Sequence, residues 1–380
     1  MIDFDVLFKH YLNFFKFKSY RRYKKVLSKY PKVVPGNDGN ASVISSKAFF
    51  RLNGMHWHYD WGRYTYLLIK SFHAYNFDIY LEKKYSLLSR LIKYKAFLQD
   101  IDLGMFDTGD APFEENEKNV LLLRHNGVEK KVILVFPSGM QVLPENNFVM
   151  PYMMHPVMYH KGYYKEVVKY RENPSRMKIL FAGNVDKKEY SRKILKERFN
   201  KTHRFEIISS LLKTGKKDEI ELVTKKEQLI PTENKHDRLF IVRSSDYKIP
   251  FEQWLEVLSR AVFFLACSGS KMPMCHNVVE AMSVGTIPIL EYPEFFSPPL
   301  EHKKNCIVYS GVDDLHEKIH EVLHMPSSEI IEMKANAIAY YEKWLTPETW
   351  VEQLVNKPFK NITLIMNAHL LPRCEEKEMA

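Results

Sequence analysis

From residue 177 to residue 292 the chain alternates apolar runs with segments of helical periodicity. The order is MKILFAGN, a helix over about 188–199, the apolar RFEIISSLL, RLFIVRS (238–244), PFEQWLEVLSRA (250–261), VFFLACS (262–268), a helix at 276–284 and TIPILEY. Short apolar runs bounded by turns read as strands buried on both faces, and strands that alternate with helices of this length join as parallel neighbours. The same reading extends backwards: GRYTYLLIKSFHAYN (62–76) has helical spacing, and FDIYLE (77–82), VLLLRH (120–125) and KVILVFP (131–137) read as strands. The expectation is therefore an α/β protein built from βαβ units.

The chain of 380 residues exceeds what one hydrophobic core organises, and the polar bridge KYRENPSR (169–176) is where the pattern restarts. The expected division is 1–172, 173–345, and a C-terminal helix and tail over 346–380. No window holds the roughly 20 apolar residues of a membrane span, and Asp3, Asp5 and Lys9 interrupt the N-terminus where a secretory signal needs its apolar segment. A cytoplasmic protein is expected. Cys267, Cys275, Cys306 and Cys374 show no zinc-site spacing and read as reduced and mostly structural.

A net charge of +10 calls for an anionic partner. Residues 8–32 mix Phe8, Tyr11, Phe14 and Phe15 with Lys16, Lys18, Arg21, Arg22, Lys24 and Lys25. Such a segment is either an amphipathic helix with solvated lysines or a peripheral anchor on the inner face of an anionic membrane. No nucleic-acid-binding motif accompanies the charge, so no nucleic-acid partner is expected.

In a parallel sheet, ligands gather at the carboxyl ends of the strands, where helix N-termini point. VFFLACSGSKMPMCHNVVEAMSVG runs strand, loop, helix, so the N–H groups around His276 and Asn277 would face a phosphate. Glu280, one turn further in, could reach sugar hydroxyls, and Gly285 would end the helix. The competing reading has Glu280 as a solvated surface acid and His276 as an N-terminal cap.

IPFEQWLEVLSRAVFFLACSG followed by HNVVEAMSVGTIPIL resembles the nucleotide-sugar-binding half of GT-B glycosyltransferases, and MKILFAGNVDKK (177–188) resembles the first strand and glycine turn of that half. The resemblance covers roughly residues 176–345. It implies a GT-B-like fold of two Rossmann-like domains facing a central cleft. It also implies Glu280 at the donor ribose, Gly183 and Asn184 in a phosphate-proximal loop, and Ser268 and Asn277 on the donor side. Many retaining members place a second acid eight positions earlier, where this chain has Met272 beside Lys271. A lysine there suits a donor sugar with its own carboxylate, so the expected donor is CMP-Kdo, with a UDP- or GDP-hexose as the alternative. The HN-x-x-E wording is similar to that of capsule and lipopolysaccharide enzymes, some of which use CMP-Kdo. The acceptor expected is a cell-surface glycan or glycolipid.

Transfer needs a group that activates the acceptor or attacks the anomeric carbon, and one that eases departure of the phosphate. His276 is a candidate proton donor at the leaving group. Asp246, after RLFIVRS, is either a nucleophile or base or a turn former with Ser244 and Ser245. Glu172 is either a catalytic acid or a hinge residue. HWHYD (56–60) and FDTGDAPF (106–113) gather His56, His58, Asp60, Asp107 and Asp110, which bind either the acceptor or a metal. GT-B enzymes generally need no metal, and no cofactor is expected. The absence of any G-x-G-x-x-G after a strand argues against a nicotinamide enzyme. A noncatalytic basic protein binding membrane or RNA is the remaining alternative.

Overall fold

The computed structural model describes residues 18–32, 34, 45–136, 145–215, 218–229 and 236–366. The strands among them are β1 (Lys47–Leu52), β2 (Asp78–Glu82), β3 (Leu103–Phe106), β4 (Asn119–His125), β5 (Val128–Val135), β6 (Asn147–Met150), β7 (Met177–Gly183), β8 (Ile220–Leu222), β9 (Leu239–Arg243), β10 (Ala261–Leu265), β11 (Ile287–Leu290), β12 (Ile307–Val308) and β13 (Asn361–Met366). They form two sheets in two compact units. The chain passes into the second unit after Met150, not near residue 172, and Trp350–Met366 returns to the first.

The first unit carries a seven-stranded sheet in the order β3-β2-β1-β4-β5-β13-β6. β1, β2 and β3 are parallel, and α1 (Arg63–Ala74) makes the crossover from β1 to β2, burying Leu67, Leu68, Ile69 and Phe72. Phe72 packs edge-on against Phe50 of β1 and against Trp350, both with centroids 5.6 Å apart. The sheet is mixed rather than all parallel, because β4 and β5 form an antiparallel hairpin. Its turn is Asn126–Gly127, with φ of 49° and 75°. Two successive left-handed residues match the twist of a tight hairpin, and Asn-Gly is the pair that tolerates them. β13, the apolar run NITLIM, inserts in parallel between β5 and β6. Arg51 and Glu82 form a buried bidentate ion pair between neighbouring β1 and β2, at 3.0 and 3.1 Å.

The second unit has a six-stranded sheet in the order β12-β11-β10-β7-β9-β8, with every pairing parallel. Ile179, Phe181, Ile241, Phe263, Leu265 and Ile289 form its core. RFEIISSLL proves to be the start of α2 (Arg204–Thr214), with Ile207, Ile208 and Leu211 turned inward. The single helix expected over 188–199 is two short ones, Lys187–Tyr190 and Ile194–Phe199. Between them the Ser191 hydroxyl donates back to the Lys187 carbonyl at 2.6 Å, a local bond that competes with continuing the helix. α3 (Phe251–Ser259), α4 (His276–Ser283), α5 (Gly311–Leu323) and α6 (Ser327–Trp344) complete the unit. No helix among the described residues is long and apolar enough to cross a membrane. Cys374 lies outside the described residues.

Lys95 in the first unit is fully buried without a carboxylate partner among the described residues. Its ammonium donates to the Leu87 carbonyl and lies 3.1 Å from His58 Nδ1. Burial, helped by the nearby Arg90 charge, lowers its pKa to about 7, and burial with the Lys95 and Arg90 charges lowers that of His58 to about 4. Between pH 7 and the unfolded value of 10.5 the unfolded chain binds a proton that the folded chain does not, so stability rises with pH across that window. The slope contributed is at most about 1.4 kcal/mol per pH unit. In denaturant titrations from pH 6.5 to 10, Lys95→Met is expected to flatten this rise; a variant that keeps the wild-type slope would remove Lys95 as its source.

Candidate functional site

The second unit concentrates its functional side chains at the carboxyl ends of β7, β9 and β10. α4 begins just after the loop that follows β10. The N–H groups of its first turn and its dipole are oriented toward whatever lies there.

Glu280 anchors this helix. It is fully buried, and both carboxylate oxygens accept hydrogen bonds from protein donors. The His155 backbone N–H donates at 2.8 Å, Trp254 Nε1 at 2.6 Å, and His276 Nδ1 sits 3.0 Å from each oxygen. Burial alone would raise the carboxyl's pKa, but the His276 charge and hydrogen bond, the His155 N–H and the His155 charge outweigh it and bring the value to about 2. The acid is therefore neither solvated nor turned toward an open pocket; it is ionised and internally satisfied.

That arrangement sets the chemistry of His276. An ionised carboxylate only accepts, so the proton sits on Nδ1 and Nε2 is left for an external partner, as a lone pair in the neutral ring or a donor in the charged one. The imidazole is partly exposed and packs at 5.1 Å against the His155 ring, which is stacked on Phe251 at 4.8 Å. A carboxylate-oriented imidazole at a helix N-terminus can exchange a proton or stabilise a departing anion.

Beside it lies Arg204, which the sequence reading did not single out. The first residue of α2, it is only 6% exposed. One guanidinium nitrogen donates to the Asn184 carbonyl at 3.2 Å, another to the Cys267 carbonyl at 3.5 Å and to Cys275 Sγ at 3.7 Å, and the group lies over the Tyr190 ring at 4.2 Å. Among the described residues it has no carboxylate partner, and its Nε has no partner at all. Ser268 Oγ and Asn277 Oδ1, close in sequence to its partners Cys267 and Cys275, are buried and equally unsatisfied, while Asn277 Nδ2 donates weakly to the Ala182 carbonyl at 3.4 Å. Each such group costs about 1–3 kcal/mol unless a ligand or water satisfies it. The signal available in the sequence was a lone arginine opening an apolar helix, which looks like any surface cation.

An open cavity of about 670 Å³ adjoins the ends of β7 and β9, lined by Asn184, Phe205, Arg243, Ser244, Ser245 and Lys248 among others. Its size admits a nucleotide, and its lining combines one aromatic ring, aliphatic side chains, hydroxyls, the cations of Arg243 and Lys248 and the carboxylate of Asp186. Asp246 at its margin is held by Arg243 Nε at 2.5 Å and by the Ser245 hydroxyl at 3.0 Å, and its N–H donates to the Arg243 carbonyl at 2.9 Å. The geometry is that of a turn, with the carboxylate committed to its neighbours.

Gly183 ends β7 and accepts from the Ser244 N–H at 3.0 Å, and Asn184 is exposed just beyond it. Lys271 is exposed and Met272 half-buried. Glu172 is exposed in the bend after the short helix Val167–Tyr170. The candidates in the first unit form two groups. His56 and Asp60 are exposed on the segment Met55–Gly62, where Asp60 pairs with Arg63 at 3.5 Å, and His58 is turned to Lys95. Asp107 and Asp110 share Lys32 at 2.8 and 3.3 Å, and Asp107 also meets Lys83 at 3.0 Å. Among the described residues no three His, Cys, Asp or Glu side chains are grouped to hold a metal.

No protein-family profile matches the chain, and no curated protein does. Among solved structures it is similar to the N-terminal domain of trehalose-6-phosphate phosphatase from Candida albicans, at 12% identity over 52% of this chain and 45% of that one, with a TM-score of 0.30. It is also similar to HepE from Anabaena in complex with UDP and glucose, at 15% identity, 55% and 47% coverage, and a TM-score of 0.28. A third is a UDP-forming α,α-trehalose-phosphate synthase from Burkholderia xenovorans with glucose-6-phosphate, at 11% identity, 76% coverage of both chains, and a TM-score of 0.35. The matched region spans about half of the first two proteins. A likeness of this size decides neither fold nor activity, and both rest on the chain's own residues.

Glu280→Gln tests the anchor. The amide cannot accept from all three donors, so at least one buried N–H loses its partner, at a cost of about 1–3 kcal/mol at pH 7. The wild-type carboxylate contributes stability that is present above its unfolded pKa of 4.5 and is lost as pH falls toward 2. Denaturant titrations between pH 2 and 6 should show that loss in the wild type and little of it in the variant. A variant as stable as the wild type at pH 7 would show that the three bonds contribute nothing.

Proposed function

We propose that the chain is a glycosyltransferase that moves a sugar from a nucleotide-activated donor to a glycan or glycolipid acceptor. The observation that carries this reading is Arg204: a buried guanidinium, without a carboxylate among the described residues, beside the N-terminus of α4 at the carboxyl ends of a parallel sheet. Arginine cannot shed its proton, so a buried one without an anion calls for an anionic ligand, and a phosphate matches its donor fork.

In this reading Arg204, Ser268, Asn277 and the first turn of α4 take the donor phosphates, and the cavity beside Asn184 and Phe205 takes the nucleoside. His276, oriented by Glu280, faces the leaving phosphate with Nε2. Glu280 acts through His276 and α4 rather than as an exposed ribose ligand. Lys271 is exposed to solvent, which removes the reason for preferring a carboxylated sugar, so the donor we favour is a UDP- or GDP-hexose over CMP-Kdo. The first unit takes the acceptor.

A thermal-shift screen of the full chain against UDP, GDP, CMP and ADP is the direct test. Binding at 100 times Kd stabilises by about 2.7 kcal/mol, so one nucleotide should stand out. Arg204→Gln should weaken that nucleotide at least tenfold, and His276→Gln should leave it bound while lowering donor turnover by about 10²-fold or more. No response to any of the four, with no donor hydrolysis, would overturn the reading in favour of a noncatalytic basic protein.

The helical residues 18–27 bury Val26 and set Tyr23 edge-on to Tyr85 at 5.4 Å, while Arg21, Arg22, Lys24 and Lys25 stay exposed. Residues 8–17 of the basic segment lie outside the described residues. We infer that these cations hold the protein on an anionic membrane, each worth about 1 kcal/mol near such a surface. Cosedimentation with phosphatidylserine vesicles should fall steeply with salt; binding indifferent to salt and lipid charge would exclude it.

A further inference from the structure

Between the buried Trp57 and α1 the backbone of the first unit does something that bulky residues avoid. Asp60 (φ 44°, ψ 50°), Trp61 (φ 57°, ψ 28°) and Gly62 (φ 77°, ψ 24°) are left-handed in succession. Residues other than glycine pay steric strain in this conformation, and a tryptophan there is an outlier.

The turn is imposed from several sides. Gly62 lies so close to Lys95 that a Cβ there would be 2.4 Å from the Lys95 Cβ. The Tyr94 N–H donates to the Trp61 carbonyl at 2.9 Å, and the Thr65 hydroxyl to the Trp57 carbonyl at 2.7 Å. Strain held this firmly would be expected to bury the indole. Instead Trp61 is 61% exposed and Tyr59 46%. The neighbouring ring has rigid footing as well: Tyr59 meets His56 edge-on at 5.4 Å, and His56 is stacked on Phe136 at 4.5 Å. Leaving a large aromatic surface in water forgoes the hydrophobic gain of burying it. The fold therefore accepts both strain and exposure to display these rings.

We propose that Trp61 and Tyr59 form the aromatic face of a carbohydrate subsite that takes a pyranose ring of the acceptor; calling that glycan the acceptor rests on the glycosyltransferase reading. A pyranose has an apolar C–H face that packs on an indole and a rim of hydroxyls that needs acceptors and donors. Asp60, adjacent in the chain and paired with Arg63 at 3.5 Å while its carboxylate stays 42% exposed, and the exposed His56 supply these. A pre-set ring also loses little entropy when a sugar docks.

Affinity electrophoresis of the full chain through gels carrying soluble β-glucan, α-glucan, galactan, mannan or polygalacturonate reads this directly. At least one polysaccharide should retard the wild type. Trp61→Gly, which suits the left-handed backbone, should weaken retardation at least tenfold with a melting temperature unchanged or raised. Trp61→Tyr should retain most of it. The subsite is overturned if none of the five retards the protein, if Trp61→Gly binds like the wild type, or if its loss comes with a lowered melting temperature. It is also overturned if Trp61→Gly abolishes vesicle binding instead. Nucleotide thermal shifts on the same proteins separate the two readings. A preserved shift without polysaccharide binding sinks the subsite alone, and polysaccharide binding without any nucleotide shift sinks the transferase reading alone.

Discussion

One buried carboxylate organises the second unit. Glu280 ties the start of α4, through His276, to Trp254 of α3 and to the backbone at His155, so three segments distant in sequence share one charge. An isolated carboxylate would cost several kcal/mol to bury. Three donors reverse that balance, which is why the acid stays ionised in a place where burial alone would have it take up a proton. The orientation of His276 follows from it.

The buried cations are handled in three different ways, and the differences are informative. Arg51 has Glu82, a bidentate partner on the adjacent strand. Lys95 has no acid among the described residues and escapes by letting its pKa fall to about 7, becoming partly neutral. Arg204 has neither resource: no acid among the described residues, and a guanidinium that stays charged at any physiological pH. Carbonyls of Asn184 and Cys267 and the Tyr190 ring solvate it only in part. The unsatisfied Ser268 and Asn277 belong to the same end of the sheet, the end where a parallel sheet gathers ligands, although buried nitrogens of His236 and Trp350 elsewhere are unsatisfied as well.

Much of the second unit was legible in advance because its strands are buried on both faces and read as uninterrupted apolar runs; MKILFAG, LFIVR, AVFFL and IPIL all became strands where expected. The first unit was read less well. KAFFRL, NFVM and NITLIM are short, and β13 joins β5 and β6 from more than two hundred residues away, a pairing no local pattern carries. RFEIISSLL shows the ambiguity of a brief apolar run, whose helical periodicity emerges only with Leu211 packed inward. At the candidate site, HNVVE was visible as a helix start. The inward aim of Glu280, the pairing of Asp246 with Arg243, and the exposure of Lys271 were not.

Residue order alone determined an α/β protein, a parallel sheet in its second part, and a polar loop opening a helix at that sheet's carboxyl edge, because hydrophobic period and turn chemistry are local properties. Which charges meet is not local. Glu280 finds His155 across 125 residues, and Arg204 finds Cys267 across 63 without finding an acid among the described residues. Only the packed structure decides whether a charge is satisfied, since desolvation and partner geometry exist only after the chain has closed around the group.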